Sequence, residues 1–320
     1  MNARPCVLVT TGLREASESR LRAEFPDVQF IFAPGDGAVE AARWAEVLFG
    51  GQISAAMLER AEVLRWVHVR SAGVNHLPLD ELARRGVLLT NGSGAHGTPI
   101  AENILAMMLA FAIRLPLLQE AKARREWLPQ RVGAEKFELE GQTLLIAGLG
   151  DIGRALAVRA SALGLRVLGC RRRDLPAPPG VHELVPLGQL HAGLGRADHV
   201  ALCLPLTADT RGFLGERELR SMRPTAYVYN VGRGGSIGRE ALHRALREGW
   251  IAGAGLDVTD PEPLQPDDPL WDLPNVILTQ HTSGGSPRNE ERVVEIFMAN
   301  LRRWLGGQTL QNVVDYGTGY

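Results

Sequence analysis

Apolar positions in the first ninety residues fall in short runs, at 6–10, 28–32, 47–49, 66–69 and 87–90, with a helically spaced stretch at 15–25 between the first two. Strand-like runs alternating with helical ones predict a mostly parallel sheet with crossover helices. A long segment rich in Ala, Leu and Met follows at 99–126 and predicts a helix. Pro99 suits an early helical position, whereas Pro116 should end or kink it. Residues 143–147 open a second series, with later strands expected at 166–170, 199–204, 226–230, 253–258 and 276–279. This second series reads as a complete doubly wound unit. The 289–305 stretch predicts a helix with Val293, Val294, Ile296, Phe297 and Leu301 on its apolar side, returning to the first domain. No repeats are evident, and the Pro-rich stretches 175–180 and 261–269 read as surface loops.

Composition changes this picture little. The 320 residues are 45% apolar with a formal net charge of −1, an ordinary soluble globular balance. No excess of positive charge points to nucleic acid. Cys6, Cys170 and Cys203 lack a C-x-x-C spacing and read as buried, reduced thiols of a cytosolic protein. No signal peptide is evident, and the most apolar stretch, 104–113, is too short to span a bilayer. No metal-ligating set is expected.

Candidate chemistry begins at Gly148-Leu149-Gly150-Asp151-Ile152-Gly153, a G-x-G-x-x-G turn between an expected strand and an expected helix. Gly148 permits the tight turn, Gly150 lets the backbone approach a pyrophosphate, and Gly153 lets helix pack on strand. Amides at the helix N-terminus then meet phosphate charge. After the second strand of this unit, where an acid would hold a ribose 2′-hydroxyl, the chain reads Arg171-Arg172-Arg173. An arginine cannot accept that hydrogen bond but can fork onto a 2′-phosphate, so NADP(H) is expected over NAD(H), with Asp174 able to turn toward the ribose. Arg233, in the turn after 227–230, is an anion clamp at the C-terminal edge of the sheet. His281 follows 276–279 and reaches the same edge, and Glu262 is the carboxylate expected to orient and charge it. A clamp, a proton donor and a nucleotide turn are what hydride transfer to a 2-oxo acid requires. Of the remaining histidines, His76 and His96 are the ones expected nearest the cleft.

In its order of motifs the chain resembles the D-isomer-specific 2-hydroxyacid dehydrogenase family over nearly its whole length. Asn91 and Ala101-Glu102-Asn103 lead into the long helix. Gly148 to Gly153 is the nucleotide turn, and Leu204-Pro205-Leu206-Thr207 with Thr210 is the cofactor-flanking loop. Asn230-Val231-Gly232-Arg233-Gly234, Asp257 with Glu262-Pro263, and Pro274-Asn275-Val276 leading to His281 complete the set. The resemblance implies an α/β fold of two domains. Residues 1–97 with 286–320 would form a smaller, flavodoxin-like substrate domain, and 98–285 a Rossmann-type NAD(P)-binding domain. It also implies that the substrate carboxylate sits on amides of Ala72, Gly73 and Val74, within 71–75, and that Arg233 and His281 also touch substrate. Val231, Gly232, Asp257, Ser283 and Gly284 would line the nicotinamide side, and a homodimer would form through about 100–126. The nearest type is the NADPH-using glyoxylate/hydroxypyruvate reductases, giving a D-2-hydroxy acid. The sequence departs from the family at Gln280, where proline is frequent, with a slight shift of the loop expected. It departs also at Ile237-Gly238-Arg239, which lacks the usual acid, and at Arg171. A dinucleotide-sensing binding protein on the same fold, an enzyme acting on another acid such as phosphite or formate, and an inactive homologue remain as alternatives.

Overall fold

The computed structural model describes residues 4–35, 37–74, 76–172 and 175–317. It divides into two compact units, 1–96 with 286–320 and 97–285.

The first unit runs β1 (Cys6–Val9), α1 (Glu15–Glu24), β2 (Gln29–Phe32), α2 (Gly37–Ala41), β3 (Val47–Gly50), α3 (Ala55–Arg60), β4 (Trp66–Val69), α4 (Leu79–Arg84) and β5 (Leu88–Thr90). Its sheet has the order β2-β1-β3-β4-β5 with every pairing parallel. β1, β3 and β4 are buried along their whole length, as near-continuous apolar runs should be when helices cover both faces. The return helix lies at Asn289–Leu305 and buries Val293, Val294, Phe297, Met298 and Leu301. Phe297 stacks on Phe49 with ring centroids 4.2 Å apart. Glu290 and Glu291 in its first turn and Arg302 and Arg303 in its last complement the helix dipole.

The second unit begins with α5 (Gly97–Ala112), α6 (Leu115–Arg124) and α7 (Pro129–Glu135). It continues with β6 (Thr143–Ala147), α8 (Asp151–Ala162), β7 (Arg166–Cys170), β8 (Glu183–Val185), α9 (Leu190–Leu194), β9 (His199–Leu202) and α10 (Glu216–Ser221). The last elements are β10 (Tyr227–Asn230), α11 (Arg239–Arg247), β11 (Gly253–Leu256) and β12 (Val276–Leu278), with the 289–305 helix of the first unit as α12. The seven strands order as β12-β11-β10-β9-β6-β7-β8, all parallel. The strand order reverses between β6 and β9, the switch point where such sheets bind ligands beyond their carboxyl ends. The expected single helix at 99–126 is two. Arg114 adopts a left-handed conformation (φ 59°), and the pieces meet at a 62° bend. Pro116 therefore sits in the first turn of α6, where its missing N–H costs nothing. No single helix among the described residues is long and apolar enough to cross a membrane.

Candidate active site

β6 ends at the glycine turn. Gly148 has φ 96°, and a Cβ there would lie 2.6 Å from the carbonyl oxygen of Cys203, just past β9. A Cβ on Gly153 would lie 2.0 Å from the Gly148 carbonyl oxygen, so α8 packs on β6 only without one. Gly150, the residue before α8, has open space where a side chain would be. The first amides of the twelve-residue α8 lack intrahelical acceptors and face that space. Leu149 is buried and Ile152 packs against the core, while the carboxylate of Asp151 lies against Gly97 at the start of α5. A backbone cradle open at Gly150, closed to side chains at 148 and 153 and fronted by a helix N-terminus, fits a dinucleotide pyrophosphate.

Arg171, after β7, turns its guanidinium back to donate to the carbonyls of Leu175 and Pro176, the second at 2.8 Å. Its Nε is buried without a partner among the described residues. The exposed Arg172 reaches Asp209 at 3.5 Å. Arg173 and Asp174, named above, lie outside the described residues. The cofactor-flanking loop is pinned by Thr210, whose hydroxyl donates to the Pro205 carbonyl at 2.6 Å and accepts from the Thr207 amide at 2.8 Å. Leu204 abuts the next turn: a Cβ on Gly232 would stand 2.4 Å from the Leu204 carbonyl oxygen.

The Arg233 turn is built by Asn230, a buried residue that reading the sequence named only as part of the motif. Its amide donates to the Arg233 carbonyl at 2.9 Å and accepts from the Gly232 amide at 3.1 Å. Buried Val231 anchors the turn between them. Arg233 donates to the Gly232 carbonyl at 2.8 Å, and no carboxylate pairs with it among the described residues. Gly234 presses on the loop leading to Glu262, since a Cβ there would fall 2.0 Å from the Thr259 carbonyl. Glu262 in turn accepts a short hydrogen bond from Nδ1 of His281. The Arg233 turn, the Glu262 loop and His281 thus form one cluster beyond the carboxyl ends of β10, β11 and β12.

The His281 loop is held from below by Asp257, which is buried. One oxygen accepts from the Thr279 hydroxyl (2.6 Å) and the amides of Thr282 (3.0 Å) and Ser283 (3.1 Å); the other accepts from the Ser283 hydroxyl. The His281 amide donates to the Asp257 carbonyl at 2.6 Å. Gly284 follows directly on this anchored segment. Gln280 and His281 both adopt left-handed backbone, φ 52° and 56°. Proline, fixed near −65°, cannot take that conformation, so the glutamine accompanies a loop geometry a proline chain would not share. Nothing in the sequence pattern signalled the anchoring role of Asp257, because its partners lie more than twenty residues away.

In the first unit, Ala72, Gly73 and Val74 follow β4. The Ala72 carbonyl accepts from the Asn91 amide at 2.8 Å, and the Gly73 carbonyl accepts from the Ser71 hydroxyl at 2.7 Å. No acceptor pairs with the N–H groups of Ala72, Gly73 or Val74 among the described residues. Asn75 lies outside the described residues. His76 reaches the Gly51 carbonyl at 3.0 Å and His96 the Arg70 carbonyl at 3.2 Å.

Residues 105–283 match the family described as D-isomer specific 2-hydroxyacid dehydrogenase, NAD binding domain. A glyoxylate reductase of Korarchaeum cryptofilum is 35% identical over 98% of this chain and 96% of its own. A D-isomer specific 2-hydroxyacid dehydrogenase family protein of Aeromonas salmonicida superposes with a TM-score of 0.86 at 31% identity, over 98% of this chain and 99% of that one. An NADPH-dependent glyoxylate/hydroxypyruvate reductase of Sinorhizobium meliloti, solved with NADP and sulfate, gives 0.83 at 27% identity, over 99% and 100%. With the pyrophosphate cradle and the sheet order described above, these likenesses make the chain a member of the D-isomer-specific 2-hydroxyacid dehydrogenases, oxidoreductases that use a nicotinamide dinucleotide.

Proposed function

We propose that this protein reduces a small 2-oxo acid of the glyoxylate/hydroxypyruvate type to the D-2-hydroxy acid, with NADPH preferred and NADH possible. The observation that carries this reading is the His281–Glu262 pair beside the Arg233 turn at the edge of the seven-stranded sheet. The unit 97–285 is the cofactor-binding domain, and 1–96 with 286–320 the substrate domain. Gly148 to Gly153 hold the pyrophosphate. Leu204, Pro205, Thr210, Val231, Gly232, Asp257, Ser283 and Gly284 flank the rest of the cofactor, and Arg171 and Arg172 supply cationic charge where an NAD-type site carries an acid. When bound, the dinucleotide supplies the hydride that C2 receives.

The chain's own groups do the remaining work. Arg233 has no carboxylate partner among the described residues, so its guanidinium is available to fork onto the substrate carboxylate and to polarise the carbonyl oxygen. The N–H groups of Ala72, Gly73 and Val74, without an acceptor among the described residues, are available to donate to a carboxylate. Glu262 occupies Nδ1 of His281, which fixes the ring and leaves Nε2 to pass a proton to the oxygen as it gains charge. The S. meliloti relative is named as NADPH-dependent and was solved with NADP, and the K. cryptofilum relative is named a glyoxylate reductase, which supports both the cofactor and the substrate class. A homodimer is supported by the exposed apolar side chains of the α5–α7 region, Leu109, Ile113, Leu115 and Trp127, the last 91% exposed. Three unpaired cysteines suit a cytoplasmic protein.

Loss of NADPH absorbance with glyoxylate, hydroxypyruvate, pyruvate and branched 2-oxo acids tests the reading. His281→Ala should lower kcat by roughly 10²–10⁴-fold while the fold persists. A wild-type chain that binds NADPH yet reduces none of these acids would instead be a dinucleotide-sensing binding protein, and near-normal turnover in the alanine variant would remove His281 as the proton donor.

A further inference from the structure

The loop that carries Glu262 contains Pro261, Pro263, Pro266 and Pro269, and a proline ring holds its own φ nearly fixed. A chain so restricted transmits position along its length, so the point where it is anchored decides where Glu262 stands. Hydrogen bonds within the loop stiffen it further. The Pro263 carbonyl accepts from Gln265 Nε2 at 3.3 Å, and the Gln265 carbonyl accepts from the Asp268 amide at 3.1 Å and from Trp271 Nε1 at 2.9 Å. Asp268 is the anchor at the far end. Among the described residues it is the one ion-paired acid with no exposed side-chain surface. Its Oδ2 accepts from Nη2 of Arg239 at 2.8 Å. Its Oδ1 accepts from the Leu270 amide at 2.9 Å and lies 3.3 Å from Nε2 of His243, a buried nitrogen with no hydrogen-bond partner among the described residues.

Arg239 and His243 lie one turn apart on α11, the helix that continues from the Arg233 turn, and Arg239 is its first residue. Position 239 is also where the chain departs from its family by lacking an acid. A cation in the first turn opposes the helix dipole, and a carboxylate taken out of water is costly unless paired. Neither charge is favourable where it stands without the other. Burial alone would raise the Asp268 carboxyl, but the Leu270 amide, Arg239 and His243 outweigh it and hold the group below its ordinary value. The packing between the two segments is incomplete. A cavity bordered by Gly234, Ile237, Arg239, His243, Thr259 and Asp260 lies there, which leaves their spacing to the directional contacts of Asp268.

We propose that Asp268, clasped by Arg239 and His243, is a positioning residue for the proton donor: it ties the Glu262 loop to α11 and so holds Glu262 on Nδ1 of His281. This rests on the reading of His281 as proton donor and adds the residue that fixes its acidic partner. Imidazole nitrogen chemical shifts show which ring nitrogen carries the proton, with no turnover needed. The neutral His281 ring of wild type should carry it on Nδ1, facing Glu262, and Glu262→Ala should release the ring to a mixture of both tautomers. The double variant Arg239→Met/Asp268→Asn removes both charges together, so no ion is left buried alone, and the asparagine can still accept from the Leu270 amide. In it the ring should move to the same mixture. Its kcat should fall by about ten- to a hundredfold with the KM for NADPH unchanged, as expected of a displaced group rather than a loosened fold. Arg239→Lys, which keeps the charge, should retain the Nδ1–H form and most of kcat. Should the double variant not fold, Arg239→Gln is read in the same way. An unchanged tautomer in the folded variant overturns the proposal, as does a wild-type ring without the Nδ1–H form. A fall in kcat matched by an equal loss of NADPH binding overturns it too. If wild type reduces no 2-oxo acid, the parent reading fails, and the tautomer comparison still decides whether Asp268 places Glu262.

Discussion

Asp257 illustrates how one buried side chain determines the placement of another. Its carboxylate collects two hydroxyl and two amide donors from the Thr279–Ser283 segment, and His281 stands in the middle of that segment. Removing the buried carboxylate leaves those donors without their shared acceptor. Asp257→Ala should therefore lower stability by about 1–3 kcal/mol in urea unfolding and reduce kcat as His281 loses its fixed position. Unchanged unfolding and turnover would show that the loop holds its shape unaided. Arg171 poses a different question, because its guanidinium is turned onto its own loop at Leu175 and Pro176. If it releases those carbonyls to bind a 2′-phosphate, Arg171→Asp should raise the KM for NADPH by about tenfold or more and leave NADH less affected. Equal losses for both cofactors would exclude the phosphate contact. Both residues were visible as candidates in the sequence. The partners of Asp257 were not, because hydrogen bonds across 22 to 26 residues leave no periodic trace.

Among the elements, those with a clear apolar pattern were legible, short strands such as β1, β3 and β4 included, and those without one were not. The apolar side of α12 appears in the sequence at helical spacing, and β6 and β7 match uninterrupted apolar runs because both faces of a parallel sheet are covered. β8, three residues at the sheet edge, has only one fully buried position and so no pattern to read. The break between α5 and α6 was signalled by Pro116 but falls two residues earlier, since proline is tolerated in the first turn of the helix that follows. α11 presents an opportunity of the same local kind. Its N-cap is Gly238, which offers no side-chain acceptor to the first amides. A Cβ there would meet only ordinary contacts, the nearest at 3.7 Å, and the backbone φ of −64° suits any residue. Gly238→Asp should thus raise stability by roughly 0.3–1 kcal/mol through capping and the helix dipole. A lower unfolding midpoint would mean that the added carboxylate is repelled or poorly aimed.

For the molecule as a whole, acid sensitivity is written into one buried histidine of each unit. His68 is fully buried on β4, with Nδ1 2.7 Å from the Thr90 hydroxyl and Nε2 without a partner among the described residues, and burial drives its pKa down to about 3. His199 is fully buried on β9 between the Tyr229 hydroxyl (3.0 Å) and Gln142 (2.6 Å). Burial lowers its pKa to about 4 against a smaller upward pull from Asp198. Both rings are neutral in the native state above these values, whereas in the unfolded chain each titrates near the ordinary 6.5. Above pH 6.5 neither state binds the protons, and these two groups contribute no slope. As pH falls below 6.5 the unfolded chain takes up protons that the native one refuses. Each histidine then removes about 1.4 kcal/mol of stability per pH unit, until the native rings titrate near 4 and 3. Urea unfolding at pH 7.5, 6.5, 5.5 and 4.5 should be flat over the first interval and steepen over the next two. Because the histidines lie in different units, His68→Gln should flatten the transition of 1–96 with 286–320, and His199→Gln that of 97–285. Acid slopes that persist in both variants would move the sensitivity to the surface carboxylates instead. The two would then part at high salt, which screens exposed ion pairs and leaves a buried ring untouched.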